Sequence, residues 1–142
     1  LDRFRQAYIT KITNQIRWIE SVIKKEWVFK SADWRNTLAQ AREGDFVYLD
    51  PPYAGRHTDY YNTWGEKEDE DLIEALLNLP CGWALSNWKE NRYRKNPVVE
   101  KLEGMEDEVV VKTYDHFYHV GAKESNRNKM TEALIIKRGY EV

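Results

Sequence analysis

Cysteine is almost absent. Cys81 stands alone among 142 residues, so the chain closes no internal disulfide; this excludes a stapled secreted scaffold and fits a reducing compartment. Glycine is sparse and scattered: residues 44, 55, 65, 82, 104, 121 and 139 are never closer than ten apart, so these residues contain no glycine-rich phosphate or nucleotide loop. Long apolar runs are missing as well. Nowhere do about 18 apolar residues follow one another, which excludes a membrane-spanning helix. The first residues, LDRFRQAYITK, lack the basic start and apolar stretch of a signal peptide. A cytoplasmic protein is expected, and with Leu rather than Met at position 1 the start of the gene product is expected upstream.

What is present is rich in rings. Apolar residues make up 42% and aromatics 13% (6 Trp, 9 Tyr, 4 Phe), too much apolar surface for a disordered tail and enough for a single core. The net charge of −2 hides an uneven distribution. From Glu43 to Glu74 there are ten acids against Arg56 and Lys67, and the rest of the chain is net basic. That split permits an anionic partner on one face.

Tyr8, Ile9, Ile12, Ile16, Ile19 and Ile23 recur at steps of three and four, predicting an amphipathic helix over 4–25 with one buried stripe. The run Trp27-Val28-Phe29 is too brief for a helix, and a strand over 27–30 is expected. Ser31 or Asp33 then caps a helix through Leu38 and Ala41, with Gly44 as its C-terminal cap. Phe46-Val47-Tyr48-Leu49 is a continuous apolar run of the kind shown by a parallel strand buried on both faces, and it ends at Asp50-Pro51-Pro52. A helix over 66–79 opens with carboxylates and turns Leu72, Ile73, Leu76 and Leu77 to the core, and Pro80 stops it. Residues 82–87 read as a second buried strand, with Cys81 before it as an inert core thiol. Residues 98–102 read as a short helix, and 108–114 and 132–137 as strands. This order predicts an α/β fold with a mainly parallel sheet and an antiparallel edge strand. All 142 residues are expected to form one domain, a helix over 1–26 leading into an α/β part over 27–142.

Chemistry concentrates at Asp50-Pro51-Pro52-Tyr53. Ligands of open α/β sheets bind just past the carboxyl ends of strands. A carboxylate there, followed by two residues of fixed φ without N–H donors, makes a rigid turn with unpaired carbonyl oxygens. These acceptors beside an aromatic ring suit a flat heterocycle bearing an amino group: Asp50 and the Pro51 carbonyl accept its two hydrogens while Tyr53 stacks on it. The plainer reading is a turn that merely ends a strand.

These four residues resemble the Asp-Pro-Pro-Tyr motif of the Dam-like adenine-specific (N6) DNA methyltransferases. The lead-in Gly44-Asp45-Phe46-Val47-Tyr48-Leu49, the strand ending Ala84-Leu85-Ser86-Asn87, and Arg127-Asn128-Lys129 running into 132–136 extend the resemblance from about Trp27 to Lys137. It implies the C-terminal part of a Rossmann-like sheet and transfer of a methyl group from S-adenosylmethionine to the exocyclic nitrogen of a flipped-out adenine in double-stranded DNA. It assigns catalysis to Asp50, Pro51, Pro52 and Tyr53, and cofactor contacts to Asp33, Trp34 and Asp50. Asp33 as a helix cap is the alternative. The family's Phe-x-Gly-x-Gly cofactor loop and its DNA-recognition insert, which precede the motif strand, have no counterpart in the 49 residues before Asp50. The expectation is therefore a partial catalytic domain, inactive alone and a weak binder of S-adenosylmethionine, with a missing N-terminal part of the same enzyme as partner. The enzyme would serve restriction–modification, a phage or a solitary methylase. The alternatives are a catalytically dead DNA-binding remnant, or methylation of RNA or another amino group.

Arg56 and His57, at the head of a polar and aromatic loop, read either as DNA contacts or as part of a solvated loop. Arg92 and Arg94 follow the second strand on the same sheet edge, as sugar-phosphate contacts or a surface charge run. Arg127 and Lys129 are further candidate phosphate contacts. His116 and His119 beside Asp115 invite a metal reading, but no Cys or Glu set completes a tetrahedral site. The expectation there is a loop–strand junction and no metal.

Overall fold

The structure is a computed structural model that describes residues 5–52, 64–119 and 127–141; for 116–119 and 127–129 it describes the backbone. The chain falls into two compact units, Leu1–Ala32 and Asp33–Val142. The first holds helix α1 (Gln6–Val22), none of whose residues is buried. The isoleucine stripe is there, but Ile9, Ile12, Ile16 and Ile19 are exposed, which corrects the expected buried stripe. Residues 27–30 form no strand; Trp27 and Phe29 instead meet edge to face at 6.4 Å. Among the described residues no helix is long and apolar enough to cross a membrane.

In the second unit, helix α2 (Trp34–Leu38) opens at Asp33, whose Oδ1 accepts the Arg35 N–H at 2.8 Å, as an N-cap should. It stops well short of Gly44, which takes φ +89° in the turn before strand β1 (Phe46–Leu49). Helix α3 (Glu66–Leu77) follows, its start tied by the Gly65 N–H donating to Glu68 Oε2 at 3.0 Å. Strand β2 (Gly82–Asn91) runs four residues beyond the expected end at Asn87. Helix α4 (Pro97–Glu103) has Asn96 as N-cap and Pro97 in its first turn, where a missing N–H costs nothing. Strands β3 (Val109–His119) and β4 (Arg127–Lys137) close the unit.

The sheet order is β1-β2-β4-β3. β1 and β2 pair in parallel, Phe46 opposite Gly82 through Leu49 opposite Leu85, whereas β2–β4 and β3–β4 are antiparallel. The expected mainly parallel sheet is thus corrected to a mostly antiparallel one with a single parallel pair. The cause is the place of β4: α4 is a second crossover and returns β3 in the direction of β2, but β4 lies between the two and pairs antiparallel with both. β1 is consequently an edge strand. Val47 and Leu49 pack on the core while Phe46 and Tyr48 are 56% and 62% exposed, so it is not buried on both faces.

The core lies between the helices and one face of the sheet: Leu72, Ile73 and Leu76 of α3, Trp83 and Leu85 of β2, Val98, Val99 and Leu102 of α4, and Ile135 of β4. Leu77, expected in the core, is exposed, whereas Cys81 is fully buried. Lys137 Nζ donates to the carbonyls of Leu79 at 2.7 Å and Cys81 at 3.2 Å, tying β4 to the turn that ends α3.

Candidate active site

The topology brings the candidate residues to one edge of the sheet. Asp50 follows Leu49 at the carboxyl end of β1; it is exposed, and Pro51 and Pro52 are half-buried. Tyr53, Arg56 and His57 lie outside the described residues. Since α3 runs back from the carboxyl end of β1 to the amino end of β2, its first turn stands at this edge. There Trp64 meets Trp34 of α2, ring centroids 6.1 Å apart, and so sets Asp33 and Trp34 at the same edge. Arg92 and Arg94 are exposed just past the carboxyl end of β2. β4 runs opposite to β2 with Met130 beside Asn91, so the backbone of Arg127 and Lys129 begins its strand there too. These two residues belong to β4 rather than to a loop, and His116 to His119 lie within β3 rather than at a junction.

Asp33 is engaged as a cap, with Oδ2 3.8 Å from Arg35 Nη1. Trp34 is half-buried, and the Arg35 guanidinium sits 4.4 Å from its ring centroid. Arg35 reaches α3 through Asp71 Oδ2 at 2.6 Å, a hydrogen bond that raises the guanidinium above its ordinary pKa. A groove of about 470 Å³ runs between α2 and α3, lined by Trp34, Arg35, Leu38, Asp71 and Pro80; Asp50 and Pro51 are not among its walls.

Several residues that shape this edge went unread in the sequence. Trp64 donates to Asp69, Arg35 spans to Asp71, and Asn96 joins two elements. The fully buried Asn96 gives its Nδ2 to Asn87 Oδ1 at 3.0 Å and to the Trp88 carbonyl at 2.8 Å, while its own Oδ1 caps α4 at Val98 N. Asn87, within β2, is thereby tied to the start of α4. Asn96-Pro97 before an apolar run is itself a readable helix start; the Trp34–Trp64 and Arg35–Asp71 contacts join residues far apart in the chain and leave no such local mark.

Residues 2–130 match the sequence family described as the D12 class N6 adenine-specific DNA methyltransferases. The chain is also similar to the Type II methyltransferase M1.LlaDCHI of Lactococcus lactis subsp. cremoris, 28% identical over 118 residues, a match covering 77% of this chain and 38% of that protein.

Proposed function

The chain belongs to the D12 class of N6 adenine-specific DNA methyltransferases, and from that premise we propose that it forms the base-binding part of a site-specific adenine methyltransferase of duplex DNA, in a restriction–modification or phage setting. The observation that carries this reading is the Asp50-Pro51-Pro52 turn at the carboxyl end of β1, beside its parallel neighbour β2, where ligands of open α/β sheets bind.

The adenine is read as flipped out of the helix, because its amino group is unreachable while stacked and paired. The Asp50 carboxylate and the Pro51 carbonyl accept the two amino hydrogens, and Tyr53 stacks on the ring. The nitrogen is a poor nucleophile, its lone pair being spread into the ring. Held this way, it presents that lone pair to the donor, and Asp50 stabilises the positive charge that develops, so catalysis is positioning plus electrostatics. The proton leaves after transfer, when the nitrogen has become acidic, and no covalent intermediate with the protein forms.

S-adenosylmethionine supplies the methyl group on a positively charged sulfur. The donor set fits it: Asp33 and Trp34 offer a carboxylate and a half-buried ring to its adenine, and the Asp50 carboxylate suits its cationic group. The 142 residues hold no Gly-x-Gly, and we read this chain as a weak binder of the cofactor by itself.

The test is transfer of labelled methyl to duplex DNA and, in parallel, to RNA, by the chain alone and supplied with a polypeptide carrying the family's cofactor loop, followed by digestion to nucleosides. Label in N6-methyladenine that disappears with Asp50→Ala supports the reading. Label confined to RNA, or transfer indifferent to Asp50, overturns it. Micromolar affinity of the chain alone for S-adenosylmethionine in calorimetry overturns the partial-site part of the reading.

A further inference from the structure

Beyond β2 the chain holds one aromatic ring out to solvent that neither the core nor the candidate active site uses. Among the described large apolar side chains Tyr93 is the most exposed, at 77%. Its loop is nonetheless built. Asn91 Oδ1 accepts the backbone N–H of Tyr93 at 2.9 Å and of Arg94 at 3.1 Å. The Asn91 N–H donates to the Arg94 carbonyl at 3.0 Å, and the Asn96 N–H to the Lys89 carbonyl at 2.7 Å. Glu90 and Lys95 pair across the same turn. The ring is therefore presented by an ordered turn, and holding it there costs little further entropy on binding.

Its surroundings indicate what it meets. The Arg92 guanidinium lies 5.8 Å from the Tyr93 ring centroid, and that of Arg94 lies 5.0 Å from the ring of Trp88. Asn91 and Lys95 complete the turn, so its described residues give the ring polar and charged neighbours rather than the apolar wall that encloses an aromatic anchor at a protein interface. An isolated ring among cations is instead the arrangement that grips unstacked nucleobases, since every base has a π-face and its phosphate a charge. β2 runs parallel to β1 and continues from Leu85, level with Leu49, to Asn91, roughly 20 Å at the usual strand rise. Tyr93 therefore stands out from the edge at which the Asp50-Pro51-Pro52 turn lies.

We propose that Tyr93 stacks on a DNA base left without its neighbour when the target adenine is extruded, with Arg92 on the adjoining phosphate. This rests on the DNA reading above. Extrusion breaks stacking on both sides of the target, and a ring of tyrosine's size restores one such contact.

The experiment measures binding of this chain and its Tyr93→Ala, Tyr93→Phe and Arg92→Ala variants to three labelled oligonucleotides by fluorescence anisotropy across a salt series: a paired duplex, the same duplex with one unpaired adenine, and the single strand. Tyr93→Ala is expected to weaken binding to the unpaired-adenine duplex about tenfold and to leave the salt slope unchanged, while Tyr93→Phe stays within about twofold. Arg92→Ala is expected to lower the salt slope by about one. A Tyr93→Ala variant within about twofold of the parent on all three oligonucleotides, or equally weakened on paired and unpaired duplexes, overturns the proposal. Failure of the parent chain to bind any of them overturns both this contact and the DNA reading. Tyr93-dependent binding by a chain that transfers no methyl group even when supplied with the cofactor-loop polypeptide leaves the contact standing and removes the methylation reading.

Discussion

The indole N–H of Trp64 donates to Oδ1 of Asp69 at 2.6 Å, and the accepting carboxylate belongs to a residue only 8% exposed. Burial pushes the Asp69 carboxyl above its usual pKa, the Trp64 hydrogen bond pulls it down, and the neighbouring Glu68 and Glu66 raise it further, for a net rise. A carboxylate whose folded pKa lies above its unfolded one binds its proton more tightly when folded. Its contribution to stability is complete below the unfolded pKa and is lost as pH rises through the folded one.

Asp69→Asn keeps an acceptor for Trp64 and removes the buried charge. Its stability relative to the parent should improve as pH rises from about 4 toward 7, as read by urea unfolding at a series of pH values. Asp69→Ala strands the indole N–H and should cost about 1–3 kcal/mol at neutral pH. A relative stability that does not change with pH would remove Asp69 from the account.

Gly82 is needed for contact rather than for flexibility. It lies opposite Phe46 in the parallel pair, and a β-carbon there would sit 2.6 Å from Tyr140 Cε1 and 2.9 Å from Phe46 Cδ2. The two rings close over the bare backbone, 6.4 Å apart. Gly82→Ala should cost roughly 1–3 kcal/mol in chemical unfolding. Because the Tyr140 ring is the obstacle that can swing away, Tyr140→Ala in the same chain should return part of that loss; additive losses would refute the collision.

The same pair shows what the sequence could and could not convey. The run Phe46-Val47-Tyr48-Leu49 marks a strand, and Asp50-Pro51-Pro52 marks its end, because both signals are local. Whether the strand has neighbours on one side or two is not local, and an apolar run looks alike in either place. Likewise β3 and β4 are legible as consecutive strands, but that β4 rather than β3 lies against β2 depends on pairings such as Leu85 with Ile135. The isoleucine spacing of α1 foretold its helix and its apolar face, though nothing in that period says what covers the face. At the candidate site, Asp33 was legible both as cap and as cofactor contact, since one carboxylate suits both tasks.

Asn96 should be among the least replaceable polar residues. It is buried, serves Asn87, the Trp88 carbonyl and the start of α4 at once, and has no solvent to substitute for any of them. Asn96→Ala should cost about 2–4 kcal/mol, the sum of a lost cap and of buried partners left unpaired. Asn96→Asp keeps the cap acceptor but sets a buried carboxylate oxygen against Asn87 Oδ1 and the Trp88 carbonyl, and should melt no higher than the Ala variant at neutral pH. An Asp variant that melts with the parent would take the Asn87 and Trp88 contacts out of the account.

Asp50 is exposed at the end of an edge strand, so its replacement tests chemistry rather than folding. Asp50→Ala should leave the unfolding midpoint within about 0.5 kcal/mol of the parent and, in the chain supplied with the cofactor-loop polypeptide, lower methyl transfer by about a hundredfold or more. If Asp50 accepts from the amino group as proposed, Asp50→Asn, which brings a donor there, should be no better than Ala. A variant that loses stability and activity in parallel would make Asp50 structural.

The cap at Asp33 and its proposed cofactor contact can be separated, because capping needs only a side-chain oxygen whereas a cofactor contact through the carboxylate needs the charge. Serine caps about as well as aspartate, so Asp33→Ser should hold stability within about 0.5 kcal/mol, whereas Asp33→Ala should lose about 1 kcal/mol. If Asp33 also binds the cofactor, Asp33→Ser should weaken S-adenosylmethionine binding about tenfold despite its intact fold, the loss of a charge-assisted hydrogen bond. Calorimetry on the chain supplied with the cofactor-loop polypeptide reads this directly. Trp34→Phe provides the companion measurement: it keeps a ring for stacking but gives Trp64 and Arg35 a smaller surface to pack on. Cofactor affinity should therefore survive Trp34→Phe better than Trp34→Ala. Should both serine and alanine at position 33 bind the cofactor as the parent does, Asp33 is a cap alone, and the proposed contact with the cofactor's adenine reduces to Trp34.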